Sequence, residues 1–138
     1  MDLTVFTAIV AVVSEIISIA NVFKRADEAK REKIAAWMQG LGELIQDVAD
    51  KIELNDYPHN TCAQMEIMVE RFPKVVGGIL DKDTIDSLAE QLRSCCKVEQ
   101  LFGELSTLSK KERDNNIVIL LNASGKLRGW SSIIKYAE

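Results

Sequence analysis

Histidine occurs once in the 138 residues, at His59, and cysteine three times, at Cys62, Cys95 and Cys96. That scarcity excludes most site chemistry. A carboxylate-bridged di-metal centre in a helical protein takes two carboxylate-x-x-His pairs. Asp56-Tyr57-Pro58-His59 offers one such spacing, with a proline that keeps it off a helix, and there is no second histidine. A four-ligand zinc site would need His59 and all three cysteines, and only His59-x-x-Cys62 has ligand spacing. A Cys–His nucleophile needs an oriented base, and nothing around Cys62 provides the orientation. Proline (two) and glycine (seven) are also sparse, which excludes collagen-like and linker compositions. With 47% hydrophobic residues and a mean hydropathy of zero, disorder is excluded as well. Seventeen basic against twenty-one acidic residues give a net charge of −4, and no aromatics interleave the bases, so no nucleic-acid partner is expected.

Short motifs add nothing catalytic. Ser124-Gly125-Lys126 ends like a phosphate loop but lacks its earlier glycine and its following Ser or Thr. Asp81-Lys82-Asp83 begins like a calcium loop, yet Ile85 and Asp86 stand where a ligand and the turn glycine belong. The expectation is a non-enzyme with no catalytic residue, no metal site and no cofactor. Adjacent Cys95 and Cys96 would strain any bridge between them, and an odd, sparse set reads as reduced cytoplasmic thiols. Cys62 and Cys95 fall on apolar seams, where a free cysteine is a small core residue.

What the chain does have is helical periodicity from end to end, enough for one domain spanning 1–138. Five segments are expected, at about 3–23, 27–54, 60–79, 83–105 and 109–137. The second carries Ile34, Met38, Leu41, Ile45, Val48 and Ile52 at alternating spacings of four and three, a bundle seam. A break near 24–27 separates it from the first, since one rod of about 50 residues would be about 75 Å long. Asn60 and Asp83 are candidate caps for the third and fourth segments, and Pro73 predicts a kink or short break at Phe72. Ser109-Lys110-Lys111-Glu112 has the capping-box pattern that opens the fifth. The β-branched run at 117–121 reads as helix, because a lone strand has no partner and the helical spacing continues to Trp130 and Ile134. The fold expected is all-α, an antiparallel four- or five-helix bundle with short loops.

The first segment stands apart. Residues 3–23 carry one charge, Glu15. Their length suits a membrane span, but a carboxylate at the centre costs about 2.5–3.5 kcal/mol on insertion scales. A buried helix of a soluble bundle is the favoured expectation. Thr4, Thr7, Ala11, Ser14, Ser18 and Asn21 make one polar and small stripe, so apolar neighbours are expected on the remaining sides. Leu3, Phe6, Ile9, Val10, Val13, Glu15, Ile17 and Phe23 are the candidates for contact with a partner or a membrane. Small residues suggest a tight crossing of this helix with the second or fifth, through Ser14-xxx-Ser18, Gly125-xxx-Gly129 and, on the second, Gly40-x-Gly42. Glu43, Asp47 and Asp50 share a helical face that reads as solvated but is capable of attracting a basic partner. Lys126, Arg128 and Lys135, flanked by Trp130 and Tyr136, suit either an anionic membrane surface or a helix packing Trp130 inward; the latter is expected.

The opening of the chain, with Asp2 after Met1, the run from Val5 to Ser14, a charged stretch and an amphipathic helix, resembles the start of HeLo-like cell-death domains. That resemblance implies a helical bundle whose apolar N-terminal helix is released to disturb membranes, with Glu15 keeping it soluble until then. Two functions are carried as expectations, with an enzyme of no identifiable site as a further alternative. One is an interaction or signalling module that binds a protein partner or a second copy of itself; the other is a membrane-targeting or membrane-permeabilising effector acting through residues 3–23.

Overall fold

In the computed structural model, which describes residues 3–137, the chain is all-α. Asp2, one of the residues behind the resemblance, lies outside the described residues. Seven helices follow in order: α1 (Thr4–Ser18), α2 (Ala20–Phe23), α3 (Glu28–Glu53), α4 (His59–Val76), α5 (Lys82–Cys95), α6 (Val98–Ser106) and α7 (Lys110–Lys135). Among the described residues there is no strand, only an isolated bridge between Gly77 and Leu80.

The spine is the antiparallel pair α3 and α7. Ser124 Oγ donates to the Gly42 carbonyl and Ser131 Oγ to the Ala35 carbonyl, both at 2.6 Å and both buried. So close an approach needs a missing side chain, and Gly42 supplies it. A Cβ there would lie 2.9 Å from Arg128 Cγ and 3.1 Å from the Ser124 carbonyl oxygen. The expected α3 seam, Ile34, Met38, Leu41, Ile45, Val48 and Ile52, is buried throughout.

Helix α1 packs on α5, α6 and α7. It buries Val5, Ile9, Val12, Val13 and Ile16, and α2 adds Ala20 and Phe23. The stripe Thr4, Thr7, Ala11, Ser14, Ser18 and Asn21 is exposed along its whole length, with Glu15 beside it. Apolar partners on the other sides are what the periodicity demanded.

Two expected helices are each divided. The first breaks at Ile19, where Ser18 Oγ donates to the Glu15 carbonyl (2.7 Å) that the Ile19 amide also uses. A hydroxyl competing for a backbone acceptor weakens the next turn. The fourth breaks at Cys96 and Lys97, and the freed Cys96 carbonyl accepts from the Cys62 thiol at 2.8 Å. Other boundaries also shift. Asn60 is not a cap: α4 starts at His59 behind Pro58, with no side-chain cap. Asp81, not Asp83, caps α5 by accepting from the Thr84 amide at 2.9 Å. Helix α4 runs through Pro73 to Val76 without a break, since a proline in the last turn removes little hydrogen bonding, and Gly77 ends it.

The break at 24–27 is present, and Asp27 caps α3 from there. Before Tyr57-Pro58 is reached, α3 has already ended. Asn55 adopts the left-handed conformation, its amide donates to Ile52, and the Asp56 amide donates to Lys51. Those paired bonds form a Schellman motif. Ser109 caps α7 as its pattern predicted, and residues 117–121 are helical. Among the described residues, no helix is long and apolar enough to cross a membrane.

Candidate interaction surfaces

The N-terminal segment is held at several points. Ile9, Val13 and Phe23 are buried, Leu3, Phe6 and Ile17 are half-buried against the core, and Val10 is half-buried. Helix α1 has no cap of its own at Leu3. Glu104 of α6 provides one in trans: its carboxylate accepts from the Val5 amide at 3.0 Å and the Phe6 amide at 3.4 Å. Those are orphan donors at the positive end of the helix, where a carboxylate is favoured. Glu15 is exposed, and its carboxylate accepts from Gln91 Nε2 of α5 at 2.8 Å. Nothing in the order of residues announces the Glu104 and Gln91 contacts, which cross the bundle.

The small-residue expectation is corrected. A Cβ at Gly125 or Gly129 would meet nothing within 4 Å, so these glycines face outward and make no crossing. Ser14 and Ser18 are exposed on α1. Of the small residues named, Gly42 makes the close approach, with Ser124, and it joins α3 to α7 without α1. A shallow groove does separate α1 from α7, lined by Val10, Ser14, Ile17, Ile119, Asn122 and Lys126 among others.

Chemistry-bearing residues gather at one corner, around the start of α4 and the α5–α6 junction. His59 opens α4 with its side chain exposed, its ring tilted against Tyr57 (4.3 Å between centroids) and 3.6 Å from the Glu99 carboxylate. Burial pushes the Cys62 thiol up, with the Glu66 carboxylate adding to it. Cys95 is pushed up to about 12 by burial and then by its neighbour Cys96. Cys96 rises to about 11, through burial first and the Cys62 and Glu66 charges after. Raised thiols are poor nucleophiles and poor metal ligands, since the thiolate is the reactive form. Cys95 and Cys96 are buried and Cys62 half-buried, and all three are free. Among the described residues, no three His, Cys, Asp or Glu side chains converge as a metal site.

At the C-terminal end, Trp130 is half-buried against the core with the Lys24 ammonium over its ring, 5.4 Å from the centroid. Tyr136 is exposed beside Lys135.

One surface went unanticipated as a unit. Helices α3 and α4 run antiparallel, joined where Thr61 Oγ1 donates to Asp47 and where Trp37 Nε1 donates to the Met68 carbonyl at 2.7 Å. Between them lies a groove in two parts that meet at Met68. One part, about 380 Å³, is lined by Lys33, Arg71 and Lys74 over Trp37 and Val75. The other, about 500 Å³, is lined by Glu43, Asp47, Gln64 and Ile67 with Gly40 in its wall. The acidic α3 face is therefore one end of a groove, and Asp47 within it is half-buried and hydrogen-bonded to Thr61. The basic end combines Lys33 with residues thirty-eight and more positions away, so only the α3–α4 packing assembles it.

No protein-family model, no curated protein and no solved structure matches this chain.

Proposed function

We propose that the protein is a non-enzymatic, cytoplasmic protein-interaction module of the signalling kind. In this reading the seven helices act as five antiparallel rods, α1–α2, α3, α4, α5–α6 and α7, and the N-terminal segment is a permanent part of the core. The seat of α1 carries the reading. Val5, Ile9, Val12, Val13, Ile16 and Phe23 are each at most 2% exposed. At roughly 1.5–3 kcal/mol per buried side chain, withdrawing six of them costs on the order of 10 kcal/mol. That equals the whole stability of a typical domain, so releasing α1 amounts to unfolding. The raised thiols and the solvent-exposed His59 support the non-enzymatic part. The surface left for function is the charged α3/α4 groove and a few exposed apolar side chains, such as Ile67, Val118 and Ile133.

The membrane-permeabilising reading, in which residues 3–23 leave the bundle, is separated by deleting them. Loss of the cooperative melt, with no dye leakage from neutral or anionic vesicles on adding the intact chain, is the expected outcome. A folded, soluble remainder, together with leakage that only the intact chain causes, would establish the effector instead.

A further inference from the structure

The α3/α4 groove has an ordered charge: Lys33, Arg71 and Lys74 at one end, Met68 and Gly40 in the middle, Glu43 and Asp47 at the other. The lining of the basic end includes no carboxylate, and that of the acidic end no cation. Among the described residues the one ion pair is His59 with Glu99, so none of these groove charges has an ionic partner there. Beside the centre, Ile67 is 52% exposed, an apolar residue at the place where the charge changes sign.

We infer that this face is a homotypic interface, covered by the same α3/α4 face of a second copy of the chain. The inference rests on the interaction-module reading and names its partner. A two-fold axis through the Met68 region reverses one groove on the other. Each basic end then lies on the partner's acidic end, and the apolar centres meet. Stacking the two grooves in the same direction would put like charges together, so the charge order selects the antiparallel arrangement.

The test is sedimentation equilibrium of the full chain, with circular dichroism as the folding control. The wild type is expected to form a dimer by about 100 µM. Raising salt from about 20 to 500 mM should weaken it, because the end contacts are solvent-accessible charges. Two double variants reverse one end each. Arg71→Glu with Lys74→Glu makes both ends acidic, and Glu43→Lys with Gln64→Lys makes both ends basic. Each alone should weaken self-association on the order of a hundredfold. Mixed in equal amounts, they should recover a heterodimer, because every end then meets its opposite.

A wild type that stays monomeric, a dimer indifferent to salt, or variants that dimerise as well alone as together would each overturn the homotypic interface. Such results leave the interaction-module reading standing, since that reading falls on vesicle leakage and on a folded 1–23 deletion.

Discussion

Gly42 and Gly129 both sit inside long helices, and their surroundings make opposite predictions. In open space, Gly129→Ala removes backbone freedom from the unfolded chain and should stabilise by about 0.5–1 kcal/mol. Gly42→Ala gains the same propensity but pushes a methyl to 3.1 Å from the Ser124 carbonyl, part of a helix that cannot move alone. Overpacking of this kind costs roughly 1–3 kcal/mol, so Gly42→Ala should lower Tm where Gly129→Ala raises it. Thermal melts of the two variants check the pair. The buried thiols add a pH dependence. Cys95 and Cys96 keep their protons to about 12 and about 11, against an ordinary 9.0 for the unfolded thiol. Above pH 9 the unfolded state therefore binds fewer protons than the folded one, and stability falls as pH rises from 9 through 11–12. Urea titrations across that range should show the decline, and Cys95→Ala should flatten it.

At the scale of elements, α1 depends on a cap that another helix supplies. Glu104→Ala should destabilise the protein by about 1 kcal/mol, the usual worth of an N-cap, and speed hydrogen exchange at the Val5 and Phe6 amides. A change confined to α6 would assign Glu104 a local role only. Local caps follow the same rule more simply: Ser109 accepts from the Glu112 amide at 3.2 Å, and Ser109→Ala should cost about 1 kcal/mol by denaturant melt. These two caps also mark where sequence reading works. Ser109 and its Glu112 partner are three residues apart, so the motif is visible in the order of residues, and so is each helical seam. Glu104 and Val5 are ninety-nine residues apart, and no local pattern links them. The breaks at Ile19 and Lys97 were hidden for a related reason: neither involves glycine or proline. At each a side chain, Ser18 or Cys62, donates to a backbone carbonyl beside the break. The exposed Gly125 and Gly129 misled because small-residue spacing shows that close approach is possible and cannot say whether a neighbour is there.

For the whole molecule, the all-α class and the inward faces were legible because burial imposes its period on every helix. The α3/α4 groove was half legible. Glu43 and Asp47 stood out on one helical face, but the cations opposite them come from two helices and meet only through packing. A fixed place in the core is claimed for the apolar first helix, the feature that most invites a membrane role. In the fold it lies between α5, α6 and α7, with its polar stripe in solvent and its ends tied by Glu104 and Gln91. Native-state hydrogen exchange under low denaturant measures that claim directly. Amides from Ile9 to Ile16 are expected to open with the same free energy and the same denaturant dependence as those of α3 around Leu41 to Val48. Exchange of α1 through a separate, lower-energy opening, while α3 remains protected, would contradict it and make the first helix a detachable part.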